Sequence, residues 1–531
     1  MSDNAPNDSK RKRRETKSRK DQHKKEKIDS RNKRFPGSKH VSAAENVQPS
    51  IDSKCHHAMP PALDIIFGRC DGDLTRAGEQ ALAWMIAPNK VEKFLCDVLE
   101  KKTLLVRRGS SGQGDYFSGL FSKSWIEELF SERKLHYNRD FSLTQYRDSV
   151  RTTLKPSLMK AAFSEDVWSL FDGEEKASIR ILRPQEHSDP IWKIISSLES
   201  FMGSGGGANA YLTPGGSQGF APHYDDIDAF ILQLEGKKSW TVYQINPEWL
   251  VRDSEIDEMS DEQRECMNLF PQHPLMSSED FTPEQVEKYL KPCVEIVLEA
   301  GDLLYIPRGM VHQAKADEDS LHVTISTGQR NTWADFIGEA IPPAVELACR
   351  SDAAHDCARL RELLPRDYMS FMGIVHSDRN DDPRRTQFHK EVDRLITTYV
   401  MKHLDYDLIA DRMAAKFQHD RHRPVDVLGD TEKSSSKVRK DSQIALVAKG
   451  TATLTIEGDA AVLYHSCKNT RVYHQTDPRG LEFEQEDAYI IEPILMSDPN
   501  IPIAVKSLGH SFEDIRRVVG FLLDEDIVKL V

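Results

Sequence analysis

His223 and Asp225 stand one residue apart, with Tyr224 between them. On an extended segment, residues i and i+2 project from the same face, so an imidazole and a carboxylate converge there. Taken alone the pair is weak, because turns and surface strands often offer it by chance. A second stretch raises it. Gly301-Asp302-Leu303-Leu304-Tyr305-Ile306-Pro307-Arg308-Gly309-Met310-Val311-His312 reads as a strand, a rigid Pro-Arg-Gly turn and a histidine held just beyond it. Two histidines and one carboxylate make a facial triad suited to non-haem Fe(II), with positions left open for substrates and O2. Zinc accepts the same ligands, so the triad alone leaves the metal open.

Gly236-Lys237-Lys238 falls between the strand that follows His223 and the run Ser239–Ile245. Lys238, Trp240 and Val242 share one face of that run, and Lys237 and Ser239 take the other. A lysine turned into a barrel costs several kcal/mol of desolvation unless an anion meets it. The distal carboxylate of 2-oxoglutarate is such an anion. Two solvated lysines on a surface hairpin are the bland alternative, and the triad tips the reading inward.

The elements that must carry these groups are short strands between turn residues. Ser178–Leu182, Asn209–Thr213, Asp228–Gln233, Ser239–Ile245, Cys293–Leu298, Asp302–Ile306 and Leu321–Ser326 predict a β-sandwich or barrel over about 178–327. Upstream, Asn89 with Glu92 and Ser124 with Glu127 fit capping boxes of short helices, and Thr103–Arg108 fits a strand. Order is expected from about Glu79. Residues 246–292 interrupt the barrel pattern with 12 Asp/Glu against 4 Lys/Arg. Thr282-Pro283-Glu284-Gln285 opens a helix there, so the segment reads as an acidic helical excursion.

Beyond Arg330 the periodicity turns helical. Val392, Leu395, Ile396, Tyr399, Val400 and Leu404 form one apolar face, which packs within its own domain or forms a dimer seam. Residues 418–440 read as a charged, Ser-rich connector. Strands Thr451–Ile456 and Ala461–His465 and the helix Phe512–Leu523 suggest a small α+β domain of winged-helix character. The boundaries follow: 1–78 basic arm and linker, 79–330 barrel, 331–425 helical domain, 426–531 winged-helix-like domain.

The chain has 531 residues and a net charge of −14, which hides a division. Residues 1–40 hold 15 Lys/Arg and 6 Asp/Glu, leaving −23 on the remainder. An arm so charged and so poor in apolar residues is expected to be disordered, and its clusters suggest a nuclear or nucleolar address or contact with nucleic acid. No run approaches the roughly 18 apolar residues of a membrane span. The start of the chain lacks the apolar stretch of a secretory signal. The eight cysteines form no Cys-x-x-Cys pair and read as reduced thiols of an intracellular protein. Cys55-His56-His57 resembles half a zinc site without its other half.

Asn209–Thr213, Gln218–Tyr243, Gly301–His312 and Ser326-Thr327-Gly328-Gln329-Arg330-Asn331-Thr332-Trp333 closely resemble the JmjC ribosomal oxygenases. The nearest branch is nucleolar and comprises bifunctional lysine-specific demethylases and histidyl-hydroxylases. The resemblance runs from about residue 90 to the C-terminus. It implies a mainly β core, a double-stranded β-helix (jelly-roll) barrel with a helical dimerisation domain and a C-terminal winged helix. It also implies a homodimer, with Fe(II), 2-oxoglutarate and O2 at the active site. Under it, His223, Asp225 and His312 match the iron ligands and Lys238 the 2-oxoglutarate lysine. Arg180, Asn209, Tyr211 and Ser326 match positions that line the substrate pocket. Two departures touch pocket shape: the excursion is longer than usual, and Gly215 and Gly328 replace bulkier residues.

The chemistry expected is hydroxylation of a protein substrate. A hydroxyl on a histidine β-carbon stays, whereas one on a lysine N-methyl group leaves as formaldehyde. An acidic body attracts basic partners, and histone tails and ribosomal proteins are both basic. A catalytically silent chromatin or pre-ribosome binding barrel is the competing reading. A zinc-dependent cupin isomerase leaves Lys238 and the Pro-Arg-Gly turn without a role.

Overall fold

The computed structural model describes residues 59–69, 72–155, 164–251, 259–350, 358–379, 381–425, 438–472 and 477–531. The basic clusters of residues 1–40 and Cys55-His56-His57 lie outside these. Among the described residues eleven strands build the centre: β1 Leu104–Val106, β2 Phe141–Arg147, β3 Val150–Leu154, β4 Ser178–Leu182, β5 Gly205–Thr213, β6 Asp228–Glu235, β7 Lys237–Ile245, β8 Leu290–Glu299, β9 Leu303–Ile306, β10 His312–Ala316 and β11 Ser320–Gln329. One sheet has the order β1-β9-β6-β11-β5-β4-β2-β3 and the other β10-β7-β8. Every pairing within them is antiparallel.

Ile231, Leu304 and Ile306 of the large sheet pack against Trp240, Val242 and Leu298 of the small one. Burial alternates along β7, with Lys238, Trp240 and Val242 inside and Lys237 exposed. Successive strand side chains point to opposite faces, so one apolar face fixes the whole strand. Gly236, which turns β6 into β7, has φ +66°, and a Cβ there would collide with the Asp319 carbonyl. The outer face of the large sheet is covered by helices Leu74–Ile86 and Asp189–Met202, whose apolar stripes join the main core.

Several sequence expectations shift. Order begins earlier than Glu79: a helix spans Pro61–Gly68, burying Leu63 and Phe67, and Asp73 caps the next one at Leu74. The helix Val91–Asp97 starts after Lys90 with no side-chain cap, because the Asn89 amide donates to Ile86 O instead. The helix Lys123–Ser131 is capped by Ser122 rather than Ser124, with Ser122 Oγ accepting from Trp125 N. β2, β3 and β10 are strands the pattern did not mark.

Among its described residues the excursion carries two α-helices, Asp261–Leu269 and Pro283–Tyr289, each opened by a full capping box from Ser260 and Thr282. Its Cys266, Phe270, Phe281 and Tyr289 form a separate apolar cluster with Tyr224, Tyr243 and Val311. After the barrel come helices Trp333–Arg350, Pro383–Leu395 and Tyr406–Asp420, the second continuing through a wide turn at Ile396–Val400.

The first part of the expected connector at 418–440 is packed rather than free. Gln418, Asp420, Arg421, His422 and Val425 are buried, and the Glu199 carboxylate accepts from His422 Nδ1 at 2.9 Å and His422 N at 3.0 Å. Strands Ala452–Glu457 and Ala460–His465 and the helix Phe512–Asp524 then build a small α/β unit with its own core.

Candidate metal centre

The segment 222–225 runs beside the start of β10, joined to it by an isolated β-bridge. His223 and His312 pair directly, and Gly309 N donates to Asp225 O at 2.9 Å. The turn Pro307-Arg308-Gly309 therefore sets where His312 sits relative to Asp225. Gly309 has φ +79°, and a Cβ there would strike Gln272 O and Pro274 of the excursion.

Each imidazole is fixed by its Nδ1, which donates to a carbonyl two residues earlier. His223 uses Ala221 O at 2.8 Å and His312 uses Met310 O at 3.0 Å. Both Nε2 lone pairs are thereby left for a ligand. Asp225 Oδ2 lies 3.9 Å from His223 Nε2 and 3.8 Å from His312 Nε2, and all three ligand atoms fall within 4.8 Å of one another. Burial and the neighbouring His223 push His312 down to about 4, against the pull of Asp225. The ring is neutral at physiological pH, as a metal ligand must be. This donor set, two imidazole nitrogens and one carboxylate oxygen, fits Fe(II).

Lys238 points inward on β7, and among the described residues no carboxylate pairs with it. Its Nζ donates to Thr213 Oγ1 at 3.0 Å, and burial pushes it down to about 7. An ammonium so placed is stabilised by an incoming anion. Trp240 bridges the two groups, with its ring 5.9 Å from Lys238 Nζ and 6.1 Å from the His312 ring.

His322 completes this wall. It stacks on Tyr211 at 4.9 Å, meets Trp240 edge-on at 5.3 Å, and its buried Nδ1 has no hydrogen-bond partner among the described residues. Burial first, and then the neighbouring Lys238 and His312, hold it well below the ordinary imidazole range. Sequence reasoning assigned His322 no part in the site; strand alternation, which puts it on one face of β11 with Thr324 and Ser326, was the available signal.

Arg180, Asn209 and Tyr211 come together. Arg180 lies opposite Tyr211 and Leu182 opposite Asn209 across β4 and β5, so the three polar side chains belong to one stretch of the paired strands. Burial holds the Tyr211 hydroxyl above its usual range. Phe220 links this group to the metal ligands, packing against Tyr211 at 5.6 Å and His223 at 6.0 Å. Ser326 is differently engaged: it lies farther along β11, opposite Gly207, donates to Gly207 O and accepts from Gln329.

Comparison with known proteins adds an independent line. Residues 180–336 match the model of the JmjC domain, and 419–529 match the C-terminal winged helix domain of ribosomal oxygenase 1. Ribosomal oxygenase 1 of Gallus gallus is 36% identical over 489 residues, covering 88% of this chain and 74% of its own. A bifunctional lysine-specific demethylase and histidyl-hydroxylase of Dictyostelium discoideum is 36% identical over 460 residues, covering 84% and 82%. Among solved structures, a ribosomal oxygenase from Escherichia coli in complex with cobalt and succinic acid aligns at TM-score 0.42 and 14% identity, over 83% of this chain and 98% of its own.

Proposed function

Because this chain belongs to the JmjC ribosomal oxygenase family, we propose that it is an Fe(II)- and 2-oxoglutarate-dependent oxygenase acting on protein side chains. The observation that carries the reading is the convergence of His223, Asp225 and His312 in a barrel that also buries Lys238, which among the described residues meets no carboxylate.

Bound iron would supply O2 activation coupled to oxidation of 2-oxoglutarate. His223, Asp225 and His312 would hold it. The remaining work belongs to the chain. Lys238 binds the distal carboxylate, and the Thr213 hydroxyl aims its ammonium. The Ala221 and Met310 carbonyls keep both imidazoles in one tautomer and orientation. Trp240, Tyr211 and His322 pack ring against ring into a wall suited to shielding the co-substrate from water. Arg180, Asn209 and Tyr211 form a polar group beside Asp225, suited to orienting an incoming side chain.

Basic protein segments, of the ribosomal-protein or histone-tail kind, are the substrates that suit the acidic body and the relatives' names. The +9 arm supports a nuclear, and within it nucleolar, location and offers contact with nucleic acid. A homodimer is supported by the helix Trp333–Arg350, which exposes Trp333, Ile337, Ile341 and Val345 at four-residue spacing. Anaerobic reconstitution with Fe(II), then exposure to O2 with 2-oxoglutarate and candidate peptides, tests the reading by product mass. A gain of 16 on histidine indicates hydroxylation and a loss of 14 from methyl-lysine indicates demethylation, on the usual atomic masses. Iron-loaded protein that turns over 2-oxoglutarate with neither peptide would sink it.

A further inference from the structure

The acidic excursion between β7 and β8 closes over the segment that carries the ligands. Ser278 N donates to Tyr224 O at 3.0 Å, Phe281 N donates to Pro222 O at 2.9 Å, and Tyr224 N donates to Ser278 Oγ at 2.9 Å. Residues 278–281 therefore bind one edge of 222–225, whose other edge is already bound to 309–312. Tyr224, set between two ligands, turns away from them into the cluster of Phe270, Phe281 and Tyr289. Arg151 on β3 anchors the same stretch through Asp280 at 3.0 Å.

Within this grip Ser277 Oγ lies 3.2 Å from Asp225 Oδ1 and 3.3 Å from Asp226 Oδ1. It accepts from Asp226 N at 3.4 Å, which turns its proton toward the carboxylates. The other oxygen, Asp225 Oδ2, is the one that faces both histidines. The two carboxylate oxygens thus have separate surroundings, one made by the excursion and one by the ligands.

We propose that Ser277 is a positioning residue, which holds Asp225 Oδ1 so that Oδ2 alone is presented to the metal. The inference rests on the Fe(II) reading above. An Asp carboxylate rotates in a broad, roughly two-fold well about its terminal torsion, so one directed hydrogen bond selects among its orientations. The chemistry matches the general behaviour of metal ligands, whose outer partners fix ligand geometry and tune affinity. Ser277 is itself exposed, so its hydroxyl can be removed without opening a cavity. The excursion then serves the metal centre, although none of its residues is a ligand.

Co(II) affinity of the full chain, measured by chelator competition without O2, tests this, alongside the visible spectrum of the Co(II) complex and metal-free thermal unfolding. Ser277→Ala should bind Co(II) about 10–100-fold more weakly with an altered spectrum and an unchanged metal-free Tm, and Ser277→Thr should return to within about threefold of wild type. Wild-type affinity in Ser277→Ala overturns the proposal. So does a loss that threonine does not recover, or one accompanied by a lower metal-free Tm, since either assigns the effect to the loop. A wild-type chain that binds no Co(II), or a His223→Ala variant that binds it equally well, defeats the metal-centre reading itself. That result is distinct from an Ala variant matching a wild type that binds.

Discussion

His223 and His312 are directly opposed in an antiparallel pair, each donating its N–H to the other's carbonyl, at 3.1 and 2.8 Å. The spacing between two ligands is therefore set by backbone hydrogen bonds rather than by side-chain packing. Replacing His223, Asp225 or His312 by Ala should reduce metal affinity by more than the roughly 10–100-fold typical of outer partners, and abolish turnover. Far-ultraviolet circular dichroism should stay unchanged, because the paired backbone survives. Retained turnover in any of the three would show that the ligand assignment is wrong.

Lys238 gives a pH dependence with a definite sign. Burial lowers its pKa from an ordinary 10.5 to about 7, so between those values the unfolded chain binds more protons than the folded one. Stability from this group then rises with pH across that window and is at its lowest below about 7. Lys238→Met should be more stable than wild type at pH 6, by several kcal/mol at most, with the gap shrinking as pH climbs toward 10. The same variant should raise KM for 2-oxoglutarate by about 10–100-fold, the worth of one charged hydrogen bond, while leaving metal affinity intact. A pH-independent gap in paired denaturation curves would refute the first part, and an unchanged KM the second.

The helix Trp333–Arg350 offers a test of the dimer. Ile337 is 56% and Ile341 38% exposed, on one stripe with Trp333 and Val345. Ile337→Glu with Ile341→Glu should convert a dimer to a monomer in light scattering, with little change in the monomer's helix content. A wild-type monomer, or a double variant that stays dimeric, would place the interface elsewhere or remove it.

Glu199 ties the end of the helix Tyr406–Asp420 to the barrel. Its carboxylate accepts from His422 Nδ1, His422 N and Gly206 N, and both side chains are wholly buried. Glu199→Ala leaves three buried donors without acceptors and should cost on the order of 3–5 kcal/mol. Urea denaturation reads it directly, and a loss under about 1 kcal/mol would mean the network relaxes freely.

Deleting residues 1–40 should disperse the protein from the nucleus while leaving turnover on a short peptide nearly unchanged. Microscopy of a tagged chain and a steady-state assay check the two halves. A large loss of turnover would make the arm part of the working enzyme.

Much of this was legible because strand alternation is a strict two-residue code. It places Lys238, Trp240 and Val242 on one face of β7, and His223 with Asp225 on one face of their own segment. What stayed hidden depends on contacts remote in sequence. β10 is a strand because β7 pairs with it, although its Gln313-Ala314-Lys315 is unremarkable locally. Ser277 reaches Asp225 across 52 positions, and nothing in Ser277-Ser278-Glu279-Asp280 marks it apart from any polar loop. Caps were misplaced by one or two residues for a similar reason: Asn89 and Ser124 have the right chemistry, but the chain enters each helix from a direction set by tertiary packing.

The turn at Gly236 bears on how such a chain is free to change over generations. The stretch between β7 and β8 has room for added length, because backbone hydrogen bonds hold it to 222–225 and it carries an apolar cluster of its own. Between Gln233 and Lys238 no such slack exists. One residue gained or lost there would exchange the two faces of β7, putting Lys237 or Ser239 at the 2-oxoglutarate position and turning Trp240 outward. Long insertions in the first place and strict length in the second are the expected record of descent, written by parity rather than by residue identity.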